Sequence, residues 1–457
     1  MKPLTFLFFP DLFFTYLLLI IPLVVIIYYI APDRLKNALL FGTSMAMCGF
    51  GGPLAIILMS LPICFDYIAA RLMEHIEKRG QRLRLLGASF ALNAGLIFVC
   101  KFLTDDFRLA GLCFYTLQSF AYLRGVYLKK YPAQKDFINY GMYISFFFLK
   151  PAGPILNYEN ALPQFTGRKI DSAKILYGLR KLASGLCKKI LLADNAYALQ
   201  SELLQQGIGG TSALGMWLSV FALAFWLFFS LSGYADMATG LGALFGFEIE
   251  ENFNKPFTAQ SVEDFALRWN ISFTKFIKEN IYAPLAAKFK NSRLEIFIIP
   301  ALTALCGLWY NWGLKFALTG FLAGLALLGE KRIWGGLVRR LPAALRHVYA
   351  LTLMICGWIL LSCENPGDIP VYIRALFGGG SAGWINDRSL SYLFSYAGFL
   401  LLYFLFSSNF IDRFVKLAKI KNSRISAALL TVVYAAAFVL CFAYKLRMPA
   451  FDFPAGW

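Results

Sequence analysis

The sequence predicts an all-α polytopic membrane protein, and three observations carry that prediction. Hydrophobic residues make up 59% of the 457-residue chain and charged residues only 15%, with a mean hydropathy of +0.60. Apolar runs such as LFFTYLLLIIPLVVIIYYIA (12–31) reach the roughly 20 residues needed to cross hydrocarbon. Basic residues gather in short loops between such runs, as in cytoplasmic loops of membrane proteins.

In chain order, apolar runs near 12–31, 37–50, 53–70, 86–103, 108–128, 137–150, 213–232, 294–311, 313–329, 348–362, 388–407 and 425–444 predict roughly eleven transmembrane helices, with one or two of the runs re-entrant. The first run exceeds a signal-peptide core of about 7–15 residues, and no small-residue cleavage site follows it. It is therefore expected to stay in the mature chain, which is expected to start near Met1. Between 150 and 212, and again between 233 and 293, polar residues mix with Gly and Pro; these stretches predict interfacial or re-entrant helices. No Pro/Ser-rich hinge divides the chain, so a single domain is expected over 1–457. No internal repeat of the kind many secondary transporters carry is visible, which lowers a transporter reading.

The formal charge of +18 does not indicate nucleic acid, because no basic segment carries aromatics in a stacking register. Its clusters are Lys78, Arg79, Arg82 and Arg84; Lys331, Arg332, Arg339, Arg340 and Arg346; and Arg413, Lys416, Lys419, Lys421 and Arg424. These place their loops in the cytoplasm, with some charge facing anionic headgroups. The nine cysteines are scattered singly, without the paired spacing of a zinc or redox site, and read as packing residues. The two histidines, His75 and His347, border basic loops and read as headgroup-level residues.

Two polar features interrupt the apolar pattern. In SVEDFALRWNISFTKFIKEN, Val262, Phe265, Ala266, Trp269, Phe273, Phe276 and Ile277 recur at steps of three and four, predicting one helix lying in the interface or against the bundle. Ser261 is placed to cap it, with Asp264 at the reciprocal position. Asn270 falls on the flank of the stripe beside Trp269, while Arg268, Lys275 and Lys278 point elsewhere. Asn270 can then be a hydrogen-bonding border residue or part of a site. The second feature is LCGLWYNWGLKF (305–316), where Trp309, Tyr310, Asn311 and Trp312 fall at a break between two spanning runs. Interface anchoring, a turn at Asn311 and Gly313, or a cavity lining at membrane depth are all open there.

Six blocks then occur in a familiar order: FYTLQSFAYLRGVYL (114–128), FFFLKPAGPILNYENALPQF (146–165), GLRKLASGLCKKILLADN (178–195), SGYADMATGLGALFGFEIEENFNKPF (232–257), RWNISFTKFIKENIYAPL (268–285) and GLWYNWGLKFALTG (307–320). The chain resembles the membrane-bound O-acyltransferases, in particular their bacterial branch of alginate O-acetylation and lipoteichoic acid D-alanylation, with the best match over 114–320. The resemblance implies a ring of tilted helices around a central tunnel, in a multi-pass protein of the bacterial cytoplasmic (inner) membrane. It implies an acyl thioester donor arriving from the cytoplasm, as acetyl-CoA or on the phosphopantetheine of an acyl carrier protein, and no tightly bound cofactor or metal. Membrane lipid and an extracytoplasmic transferase or small membrane partner are the further partners implied, for transfer to a hydroxyl of a cell-surface polysaccharide or polymer.

The chain departs from the family pattern where the chemistry would lie. Asn270 and Tyr310 stand at the positions of the family's two histidines, Ala323 at a third, less uniform one, and Ser230 and Gly125 at two aspartates. An amide has no useful basicity, and a phenol with a pKa near 10 stays protonated at neutral pH. Losing a general base typically costs about 10² to 10⁴ in rate. Asn270 and Tyr310 could still donate hydrogen bonds to a thioester carbonyl. Trp269, Arg268, Trp309, Asn311, Asp236 and Asp194 are the tunnel or substrate-binding candidates; Asp194, Asp236 and Glu251, with Lys188 close to Asp194 in sequence, are the residues to which catalysis could have moved. Three readings follow: a catalytically impaired member of an acyl-transfer system, an active O-acyltransferase with relocated catalytic residues, and a conduit for lipid or small solute.

Overall fold

The computed structural model describes residues 19–49, 53–103, 112–149, 153–289, 295–311, 313–363, 365–410, 413 and 424–447. Trp312, the basic residues Lys416, Lys419 and Lys421, and the start of the first apolar run lie outside them. Every regular element among the described residues is helical. Three helices are long and apolar enough to cross a membrane: Pro53–His75, Ala213–Leu244 and Ala343–Ser362. Asp387–Ser395 and Ala397–Ser407 together make a fourth candidate, bent by 56°. Shorter helices occupy most of the other expected spans, among them Asp33–Gly49, Leu112–Tyr127, Glu295–Tyr310 and Leu314–Gly329.

Two expectations need adjustment. The run at 137–150 gives only the nine-residue helix Phe137–Ser145, at about 1.5 Å per residue too short to span. Its capping Asp136 accepts from the Ile138 and Asn139 amides, and the chain leaves helical geometry at Phe146. The polar stretch after 233 begins as helix, because Ala213–Leu244 continues twelve residues past the expected end at 232 before Gly246 turns the chain at φ 85°. Of the basic loop residues, Arg82 is buried and donates to the Val126 and Tyr127 carbonyls at 2.6 Å each, closing the end of Leu112–Tyr127. A guanidinium there complements the negative end of the helix dipole.

The described residues divide into two compact units, one built chiefly from Met1–Leu182 with Tyr234–Glu251, the other from Ala183–Gly233 with Asn252–Met448. The first has a tyrosine-rich core in which Tyr122, Tyr143, Tyr158 and Phe165 meet with centroids 4.8–6.5 Å apart. Irregular backbone beside it is satisfied by Gln118, which donates to the Tyr143 carbonyl at 2.5 Å and accepts from the Leu156 amide at 3.2 Å. The second unit packs Met216, Val220 and Ala224 with Ala350, Met354, Trp358 and Tyr372.

Within the second unit, Glu295–Tyr310 and Leu314–Gly329 form an antiparallel pair that presents Tyr310 at its turn. The pair is close because glycines face backbone. A Cβ at Gly320 would lie 2.1 Å from the Thr303 carbonyl oxygen, and one at Gly307 would lie 2.0 Å from that of Phe316. Small residues at such crossings let two backbones approach where hydrocarbon offers no hydrophobic drive. Gly320→Leu is therefore expected to lower stability by about 1–3 kcal/mol through overpacking. Thermal unfolding checks this against Gly336→Ala, where a Cβ meets nothing within 4 Å and little change is expected.

Candidate functional site

Asn270 sits at a backbone break, which corrects the expectation of one continuous helix. The chain forms Val262–Arg268, passes through Trp269 and Asn270, and resumes as Ile271–Ile277. Asn270 stands at φ 47°, ψ 60°, in the left-handed region. That region costs most L-residues about 1–2 kcal/mol, and Asn is among the few that visit it readily. The apolar steps of three and four persist across the break, which is why periodicity did not reveal it.

Tertiary hydrogen bonds hold the break open. The Asn252 carbonyl accepts from the Ile271 amide at 2.8 Å, and the Asn254 amide donates to the Arg268 carbonyl at 3.0 Å. The Asn252 side chain completes the clasp, with Oδ1 accepting from the Ser272 amide at 2.9 Å and Nδ2 donating to Asn270 Oδ1 at 3.0 Å. Thr274 Oγ1 donates to the Ala266 carbonyl at 2.9 Å, tying the two short helices together. Ahead of the break, Ser261 Oγ accepts from the Asp264 amide at 2.9 Å as expected. The reciprocal half of that cap is displaced by one residue, since the Asp264 carboxylate accepts from the Gln260 amide at 3.1 Å. Glu330 adds a second cap, its two carboxylate oxygens accepting from the Val262 and Glu263 amides at 3.0 Å each.

The break delivers Asn270 to Tyr310. Asn270 Nδ2 donates to the Tyr310 hydroxyl at 2.7 Å, joining residues 40 apart in sequence. Asn270 is 4% exposed, so its amide is committed on both sides: it accepts from Asn252 and donates to Tyr310. The phenol oxygen accepts that bond and keeps its own proton, for which the described residues supply no acceptor. Aromatic rings flank the pair. Trp309 stacks on Phe273 with centroids 4.3 Å apart, and both meet Tyr310 edge-on at 5.2 and 5.9 Å. Trp269 stacks on Phe265 at 5.4 Å and meets Phe253 edge-on at 5.4 Å. Asn311 ends the Tyr310 helix, its amide donating to the Gly307 carbonyl at 3.2 Å, before extended Gly313.

The charged candidates are engaged elsewhere. Arg268 Nε donates to Asp264 at 2.6 Å within its own helix. Asp194 pairs with Lys189. In the first unit, Lys181 Nζ lies 3.3 Å from Asp236 and 2.6 Å from Glu251. Burial depresses the Lys181 ammonium, but the two carboxylates outweigh it and raise its pKa above the usual lysine value. His347 Nδ1 lies 3.0 Å from the Ala259 carbonyl oxygen, a bond that ties it to the chain ahead of Ser261. Asn252 and Glu330 were not singled out from the sequence. An asparagine in ENFNKPF reads as a loop residue, and its partners lie 18 and 20 positions away.

The geometry defines a membrane-embedded helical protein with a neutral polar pair enclosed by aromatic rings at a helix break. Comparison with known proteins then places it: the membrane-bound O-acyltransferase (MBOAT) family profile matches residues 100–363, and the chain belongs to that family. It is 28% identical over 375 residues to a probable alginate O-acetylase of Pseudomonas aeruginosa, covering 77% of this chain and 71% of that one. It is 26% identical over 339 residues to a peptidoglycan O-acetyltransferase of Helicobacter pylori, covering 66% and 62%. It is 26% identical over 190 residues to a teichoic acid D-alanyltransferase of Bacillus subtilis, covering 39% and 47%.

Two substitutions check the built geometry by thermal unfolding. Asn270→Ala should be less stable than Asn270→Gly by about 1–2 kcal/mol, because both lose the amide but only alanine suffers the left-handed backbone; equal stabilities would mean residue 270 is not held there. Asn252→Ala strands the Ser272 amide and Asn270 Oδ1 and should cost about 1–3 kcal/mol.

Proposed function

We propose that this protein is an acyl-transfer component for a cell-surface polysaccharide or polymer, one that binds and orients an acyl thioester without supplying a general base. The observation that carries the proposal is the 2.7 Å bond from Asn270 Nδ2 to the Tyr310 hydroxyl. In this reading the two residues occupy the family's histidine positions, and the left-handed backbone at 270 suits either residue, since asparagine and histidine both tolerate it. An amide in that place cannot take a proton from an acceptor hydroxyl. The Tyr310 O–H can instead donate to the thioester carbonyl, with Asn270 fixing the phenol from its other side and Trp309 and Phe273 shaping the enclosure. Trp269 and Arg268 flank the break and Asn311 ends the helix that carries Tyr310.

In this reading the setting is a bacterial cytoplasmic membrane and a multi-pass chain of roughly eleven spans, the shorter helices crossing in tilted or paired form. The donor is acetyl-CoA or the phosphopantetheine thioester of an acyl carrier protein on the cytoplasmic side. The acceptor or its transferase lies beyond the other face. The partner then provides the base for completed transfer.

Purified protein in nanodiscs, given radiolabelled acetyl-CoA and separately an acyl-loaded carrier protein, tests this by scoring binding and thioester loss together. The expected result is saturable binding with no turnover above empty discs. The variant carrying Asn270→His and Tyr310→His is expected to gain turnover, by up to about 10² to 10⁴ if a working base is restored. Turnover by the unmodified chain that disappears on removal of another polar residue would instead establish relocated catalysis.

A further inference from the structure

The first unit contains a buried acid that the functional reading does not use. Asp66 lies near the middle of the 23-residue spanning helix Pro53–His75 and is 0% exposed. Two neighbouring helices send polar groups to it, and a third reaches it through Ser119. Ser89 Oγ donates to Asp66 Oδ1, Asn93 Nδ2 donates to Oδ2 at 3.0 Å, and Ser119 Oγ donates to Oδ2 at 2.5 Å. Tyr140 OH stands 3.1 Å from Ser119 Oγ. Because Ser119 spends its only hydroxyl proton on the carboxylate, Tyr140 is the donor in that contact. Among the described residues no lysine, arginine or histidine pairs with Asp66.

Counting protons shows what this cluster lacks. Asn93 Nδ2 gives one hydrogen to Asp66 and the other to the Ser89 carbonyl at 2.9 Å. Its Oδ1 is buried and receives no donor. Reversing the amide would turn its oxygen toward a carboxylate and a carbonyl, so the orientation is fixed by its partners. The result, among the described residues, is a buried carboxylate with no counter-charge and, on the Asn93 amide that donates to it, a buried oxygen with no donor. A lone buried charge is expensive there and is normally neutralised or paired.

We propose that Asp66, Ser89, Asn93, Ser119 and Tyr140 form a binding site for one sodium-like monovalent cation. The available donors are all oxygens, which suit a hard ion and not a thiolate- or imidazole-seeking metal. Charge selects among hard ions: one carboxylate and one monovalent ion are neutral together, whereas a divalent ion would leave a net charge at membrane depth. The residues come from Pro53–His75, Arg79–Leu103, Leu112–Tyr127 and Phe137–Ser145, so an ion held here ties four helices and stabilises the folded unit by mass action.

Equilibrium binding of radioactive sodium to the full chain in detergent tests the site, with choline holding the ionic strength at about 0.15 M. The expected result is saturable binding of one ion per chain, lost in Asp66→Asn and weakened about tenfold in Ser119→Ala. Sodium should also raise the melting temperature of the unmodified protein over choline, and should not do so for Asp66→Asn. If Asp66→Asn fails to fold, Ser119→Ala and the unmodified chain decide the matter. Folded unmodified protein that binds no sodium overturns the proposal, as does binding that survives unchanged in both variants. Stabilisation by protons with no response to sodium would also overturn it, by showing Asp66 neutralised as an acid.

Discussion

The bond from Asn252 to Asn270 to Tyr310 is the interaction on which the rest of the candidate site depends. Asn270 is buried, so water does not satisfy the broken helix there and each freed backbone group needs a partner within the protein. The Asn252–Asn254 segment supplies partners on both sides of the break, Thr274 ties the two short helices together, and Glu330 caps the start of the first. With the break satisfied, a residue that would have lain on a helix flank is swung to the Tyr310 hydroxyl. The site is therefore a consequence of backbone accounting before it is a matter of side-chain chemistry.

The same rule accounts for other polar residues in this apolar chain. Gln118 serves two backbone groups of an irregular segment, and Arg82 closes a helix end. Lys181 is held between two carboxylates, and Asp194 is taken by Lys189. Glycines do the complementary work, bringing the two helices beside Tyr310 so close that backbone faces backbone at Gly307 and Gly320. Asn93 Oδ1 in the first unit is a buried oxygen without a donor, and the Tyr310 hydroxyl in the second accepts from Asn270. Both carry the functional inferences drawn above.

Much of the architecture was legible in the sequence, because hydrocarbon imposes a length and a polarity that single runs display. The all-helical class, the apolar runs, the Ser261 cap and the break before Gly313 followed from local rules. The break at Asn270 did not, since apolar spacing continues through it and the residues that stabilise it lie in a loop some twenty positions earlier. The pairing of Asn270 with Tyr310 was approached through resemblance to a family, which placed both residues in one tunnel, and was not visible in spacing. Asp66 escaped notice for a similar reason: it is a single acid in an apolar run, and its partners are 23 to 53 positions away. Polar chemistry built from separate helices leaves little periodic signal in any one of them.

The central claim is that Asn270 and Tyr310 act as one hydrogen-bonding unit toward an acyl thioester. A double-mutant cycle with Asn270→Gly and Tyr310→Phe, read as the affinity for a non-hydrolysable acetyl-CoA analogue, tests it most directly. The account predicts that the two losses are not additive, with a coupling of about 0.5–3 kcal/mol, as for residues in direct contact. Additive losses, or affinities that neither substitution changes, would contradict it.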